Sequence, residues 1–228
     1  MLSAESAALR SVWPGLFGSV AVQVGCTGQV DLLEECNAPS RVLLECFATG
    51  HSGVNVVQAI PEALPFDTRS VPLMLLPHTL EFADDPHQVL REVSRVLAPE
   101  GHVVILGFNP LSLWGLWRLL RQRSGAAPWN GRFLHLARLK DWLKLLDFEF
   151  TRGSMHYYRP PLSGELAMDR LRFLDKAGDR WWPMTGAVYL LVAKKRVAGM
   201  TPILPAWRTR RQFVSAVARP ALRVIRGG

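Results

Sequence analysis

Cysteine is scarce in this chain. Cys26, Cys36 and Cys46 are the only three in 228 residues. Their spacing holds no CxxC pair, and no histidine sits near them at a zinc-ligand interval. A disulfide framework and a cysteine-based metal centre are therefore excluded, leaving buried or incidental thiols in a reducing compartment. Long apolar runs are also missing, since no stretch approaches the roughly 20 residues needed to span a bilayer. The first residues lack the basic start of a secretory signal: Glu5 precedes Arg10, and Pro14, Gly15 and Gly18 break up the next stretch. The expectation is a cytoplasmic protein. No internal repeat occurs.

What is present suits one ordinary domain. Hydrophobic residues make up 49% of the chain and charged ones 20%, enough for a single core and too apolar for general disorder. The formal net charge of +8 is unevenly placed. Nine basic residues and no acidic ones lie between Lys194 and Gly228, leaving 18 of the 27 basic residues against all 19 acidic ones elsewhere. Attraction for polyanions belongs to that tail. The expected organisation is an N-terminal helical segment over 1–18, a main domain over 19–196 with a helical insertion near 110–147, and a basic, solvated tail over 197–228.

Short β-branched runs alternate with helical periods, the pattern of a parallel α/β sheet. Strands are expected at Ser19–Val24, Arg41–Cys46, Val54–Gln58, Val71–Leu76 and His102–Phe108, with a short helix near Gln29–Cys36. Asp85 can cap a helix that opens with Pro86 and carries Val89, Leu90, Val93, Val96 and Leu97 as one apolar stripe. A very apolar helix comes after Pro110 (Leu113, Trp114, Leu116, Trp117, Leu119, Leu120). A second places Leu139, Trp142, Leu143 and Leu146 on one face. Phe148–Tyr158 and Ala187–Ala193 read as a final pair of strands separated by a helix around Gly164–Lys176.

Pro77–Pro110 (PHTLEFADDPHQVLREVSRVLAPEGHVVILGFNP) resembles the class I S-adenosylmethionine-dependent methyltransferases, especially those of quinone biosynthesis. Asp85, Pro86, Leu90, Glu92, Arg95, Val96, Leu97, Pro99 and Gly101 occupy the places of that group's DP…L.E..RVL.PGG signature. Glu62–Phe66 (EALPF) is similar to its D-A-x-x-L-P-F segment. The resemblance covers about Ser19–Phe108. It implies a Rossmann-like, doubly wound α/β fold: a three-layer α/β/α arrangement around a seven-stranded, mostly parallel sheet with a reversed edge strand. It also implies S-adenosylmethionine as cofactor, bound beyond the C-terminal ends of the first strands.

Carried over residue by residue, the resemblance assigns Gly25 to the first glycine of the cofactor turn. Gln23 stands in the usual acidic place, Thr27 replaces the second glycine, and Gly28 is one position out of register. Glu45, ending the second strand, is the candidate for the ribose hydroxyls. Ile60 and Pro61 occupy the adenine region, where an aspartate is usual. An aliphatic pair can pack against the ring but cannot accept from its amine. His78 and Glu81, just past the fourth strand, are the candidate catalytic residues; an imidazole titrates near neutrality and could take a proton from a hydroxyl acceptor. His78 also borders the expected cofactor site. A packed loop histidine would give the same pattern.

The acceptor implied is a small or lipophilic molecule. The helix carrying Trp114 and Trp117, with Arg118, Arg121 and Arg123, reads as a lid or membrane-contacting surface, or as plain core packing. Trp181–Met184 could cover an aromatic or isoprenoid substrate, or seal the sheet edge. Ala206–Arg226 interleaves arginine with apolar residues, which suits an anionic membrane surface; nucleic acid is the weaker partner, because no binding motif accompanies the arginines. Two further readings stay open. One is a catalytically silent methyltransferase-like scaffold, and the other an RNA-modifying enzyme recruited by its tail.

Overall fold

The computed structural model describes residues 1–25, 30–46, 55–121, 128–160, 173–182 and 184–196. These lie within one compact unit, Met1–Val197. The expected basic tail and Gly28 lie outside the described residues.

The elements run α1 (Leu2–Arg10), a 3-10 turn (Trp13–Gly15), β1 (Val20–Val24), β2 (Ser40–Glu45), β3 (Asn55–Gln58), β4 (Val71–Pro77), α2 (Thr79–Phe82) and α3 (Pro86–Val96). They continue with β5 (Leu97–Phe108), α4 (Leu113–Arg121), α5 (Leu136–Leu145), β6 (Phe148–His156), α6 (Phe173–Trp181) and β7 (Val188–Lys195). The seven strands form one sheet in the order β3-β2-β1-β4-β5-β7-β6. β1 through β5 pair in parallel, and the reversed β7 lies between β5 and the edge strand β6. The chain crosses from β3 over to β4 on the other side of β1, so a topological switch point lies between β1 and β4.

Alternation along each strand divides the core between two faces. Val22, Val24, Met74, Leu76, Val103 and Ile105 meet the α3 stripe and Leu139 and Leu143 of α5. Ala21, Leu73, Leu75, Val104 and Leu106 face the other way, toward Leu9, Val12 and Trp13. The N-terminal segment is thus a covering layer for the second face.

The two signatures behind the family resemblance hold one another. Asp85 caps α3 by accepting from the backbone N–H of His87 (2.9 Å) and Gln88 (3.1 Å), with Pro86 at the first turn. From that helix, Glu92 accepts from the Leu64 N–H (3.0 Å), while Arg95 donates to the carbonyls of Leu64 and Phe66 (2.9 Å each). The EALPF segment is therefore pinned to α3, which fixes the crossing from β3 to β4.

Two expectations change. Over the described residues 30–36 there is no helix, and 32–35 form turns. Side chains capture the backbone donors there: Gln23 accepts from Leu32 N–H (3.0 Å) and Asp31 from Leu33 N–H (2.8 Å), which competes with helical hydrogen bonding. The helix expected around Gly164–Lys176 overlaps α6 at its end, and its earlier part lies outside the described residues.

Candidate cofactor site

A cavity of about 380 Å³ opens at the C-terminal edge of the parallel strands. Gly25, after β1, takes a positive φ of 81° that a side chain rarely adopts. Its N–H donates to Leu44 O (2.8 Å), and a Cβ here would approach Thr79 Oγ1 to 3.2 Å. Thr79, at the start of α2, donates its hydroxyl to Val24 O and so joins the ends of β1 and β4 across the switch point.

Gly25, Ile60, Pro61 and His78 line this one cavity. Glu45 closes β2 beside it as a buried carboxylate, and the next residue, Cys46, reaches the lining. Two carboxylates that sequence reasoning passed over also line it, Glu62 and Asp84. Glu62 Oε1 accepts from the Asp84 N–H (3.1 Å). The signal for Glu62 was available: it opens the EALPF segment, where the family motif begins with an acid. A carboxylate thus lines the cavity directly after Ile60 and Pro61.

Gln23 serves the loop rather than the cavity. Fully buried on β1, it donates to Val30 O (2.9 Å) and Gly25 O (3.4 Å) and accepts from Leu32 N–H. A carboxylate could make the accepting contact but neither donation. The uncharged amide is what this turn requires.

His78 is buried and holds a left-handed backbone (φ 54°). Its Nε2 lies 3.2 Å from Glu5 Oε1, and its Nδ1 3.7 Å from Glu81 Oε1. The ring stacks on Phe108 with centroids 4.0 Å apart. Burial opposes charge on the ring, but the carboxylates of Glu5 and Glu81 outweigh it and push His78 up to about 9. Glu81 Oε1 in turn accepts from Phe108 N–H (2.6 Å), tying α2 to β5. Glu81 lies behind His78 and is not among the cavity-lining residues. Burial first, and then the charge of Glu81, raise the Tyr189 phenol well above its ordinary value. Sequence reasoning missed Glu5. Its signal was a carboxylate sharing a helical face with Ala8, Leu9 and Val12 at the i+3, i+4 and i+7 places.

The residues present fit the implied cofactor. A glycine without Cβ, an apolar wall at Ile60 and Pro61, and the carboxylate of Glu62 meet around a cavity at the switch point, while Glu45 is buried one residue before the lining Cys46. Among the described residues no group of three or more His, Cys, Asp or Glu gathers to hold a metal ion.

Comparison with known proteins agrees with this geometry. Residues 36–105 match the family described as a methyltransferase domain. An uncharacterised Escherichia coli protein, YafS, is 37% identical over 180 residues, covering 75% of this chain and 70% of that one. An uncharacterised Mycobacterium tuberculosis protein is 34% identical over 167 residues, 71% of this chain, which spans only 57% of that relative's length. Among solved structures, an S-adenosylmethionine-dependent methyltransferase of Thermotoga maritima shares the fold with a TM-score of 0.62 at 19% identity, covering 85% of this chain and 88% of that one. Fold, switch-point cavity and relatives converge: the chain belongs to one family with YafS, carries a methyltransferase-domain match over residues 36–105, and has the fold of the class I S-adenosylmethionine-dependent methyltransferases.

Proposed function

We propose that the chain transfers a methyl group from S-adenosylmethionine to a small or lipophilic acceptor at the C-terminal edge of the sheet. The observation that carries the reading is the cavity in which the positive-φ Gly25, the Ile60–Pro61 wall and Glu62 converge beside Glu45. When bound, the cofactor supplies an electrophilic methyl carbon activated by the sulfonium. The chain's own residues supply the rest. Glu45 accepts from the ribose hydroxyls, Ile60 and Pro61 pack on the adenine face, and Glu62 accepts from its exocyclic amine. Thr79 holds the end of β1 so that Gly25, having no Cβ, lets the cofactor approach the backbone.

His78 and Glu81 act in this reading as a buried charged floor. An imidazolium between two carboxylates has no lone pair to offer a substrate proton. Acceptors whose nucleophile is free or ionised near neutral pH are therefore favoured. A lipophilic acceptor is supported by a second, apolar cavity of about 480 Å³ just after β5, lined by Leu111, Leu113, Leu116 and Leu119 of the α4 region and by Trp182. It opens at the same end of the sheet as the cofactor cavity.

Calorimetric titration with S-adenosylmethionine and S-adenosylhomocysteine, on the wild type and on Glu45→Ala, tests the proposal. Binding that the substitution weakens by about ten- to a hundredfold is expected, since a charged hydrogen bond contributes roughly 1.5–3 kcal/mol. No binding of either ligand at millimolar concentration would overturn the enzyme reading and leave a scaffold that keeps the fold.

A further inference from the structure

Helix α4 is packed inside out. Its buried face carries Trp114 and Gly115, and a Cβ on Gly115 would stand 2.0 Å from Pro110 O, so the glycine is what lets the helix lie down. Trp114 stacks with Phe108 and Trp129, and its indole N–H donates to Arg159 O (2.9 Å). The opposite face turns Leu113, Leu116, Leu119 and Leu120 outward, 51–74% exposed. Trp182 shares a cavity lining with the α4 leucines, and Trp181, Trp182 and Met184 are themselves 61–71% exposed. The 480 Å³ cavity joins the two parts, being lined by α4 leucines on one side and Trp182 on the other. Contiguous exposed apolar surface of this kind marks an interaction site.

Charge identifies the partner. Helix α4 carries Arg118 and Arg121 and no acidic residue, and Arg121, at its C-terminal end, is exposed. Leucine and tryptophan outward with arginine at the margin is the composition of a helix lying in the headgroup–acyl boundary of an anionic bilayer. A symmetric contact between two copies would bring the same cations face to face, which disfavours self-association. A polynucleotide would leave the leucines in water.

We infer that the α4 face and the Trp181–Met184 corner dock onto a bilayer with anionic headgroups, and that the cavity between them admits the hydrocarbon part of a membrane-resident acceptor. The inference deepens the proposed lipophilic acceptor and rests on that reading only for the cavity's role. Docking itself is measured without cofactor, so its failure leaves the cofactor titration untouched.

The test is co-sedimentation of the full chain with vesicles of phosphatidylcholine alone or mixed with phosphatidylglycerol, at low and high salt. Binding to the mixed vesicles is expected, weakened by salt. Leu116→Asp/Leu120→Asp, which changes only exposed side chains, should lose on the order of tenfold or more in affinity with an unchanged far-UV spectrum. Arg208→Ser/Arg210→Ser/Arg211→Ser, in the C-terminal segment, should lose much less. Absence of binding, or a tail variant that loses all binding while the leucine variant binds like wild type, overturns the proposal. So does a wild-type dimer that the leucine variant dissolves with no vesicle binding.

Discussion

The Nε2 of His78 lies 3.2 Å from Glu5 Oε1, across 73 residues of sequence. The N-terminal helix thereby places a buried carboxylate behind His78, which lines the candidate cofactor cavity. The pair, with Glu81 behind it, makes the stability of this chain depend on pH in a definite direction.

His78 is raised from 6.5 to about 9 by its two carboxylates. A raised imidazole contributes stability that is fully present below its unfolded value, about 6.5, and lost as pH rises through about 9. Glu5→Gln should therefore cost on the order of 2–3 kcal/mol at pH 7 and only about 1 kcal/mol at pH 10. Urea unfolding at the two pH values checks this, and an equal cost at both would contradict it.

Gly25→Ala places a Cβ on a backbone with φ 81° and presses it toward Thr79 Oγ1. A loss of about 1–2 kcal/mol in thermal unfolding is expected from the left-handed conformation. Binding of S-adenosylhomocysteine should weaken at the same time. An unchanged affinity in a folded variant would remove Gly25 from the cofactor site.

Gln23→Glu puts the family's usual acid into this chain, and the variant should be worse than the wild type. The two donations to Val30 O and Gly25 O disappear and a charge is buried against carbonyls. A destabilisation of about 1–3 kcal/mol is expected, together with faster hydrogen exchange at Leu32 N–H. Equal or greater stability would show that the turn does not depend on the amide.

Tyr189→Phe tests the opposite case. The hydroxyl is buried with no hydrogen-bond partner among the described residues, close to Glu81. Deleting it should leave stability unchanged or raise it by up to about 1 kcal/mol, because no protein hydrogen bond is broken. A clear loss in denaturant unfolding would reveal a bridging water that the hydroxyl holds.

Much of the frame was legible in the residues. Asp85 and Pro86 announced the start of α3, and its apolar stripe announced the face it buries. The β-branched runs placed the strands within a residue or two at most ends, though β5 begins at Leu97, earlier than His102. Gly25, Ile60, Pro61 and His78 were picked out from scattered positions and line one cavity. The turns at 32–35 were not legible, because the donors they lose go to Gln23 and Asp31, and hydrophobic periodicity carries no record of such captures.

Sequence by itself determined the fold class and the order of the strands and of most helices. Those come from local periods and caps, which need only neighbouring residues. Tertiary structure alone decided that Glu5 faces His78, that Glu62 supplies the carboxylate beside Ile60 and Pro61, and that α4 turns its leucines outward. A period reports that a helix has an apolar face but not what that face meets. A carboxylate set among apolar residues gains its meaning only when a partner 73 residues away folds against it.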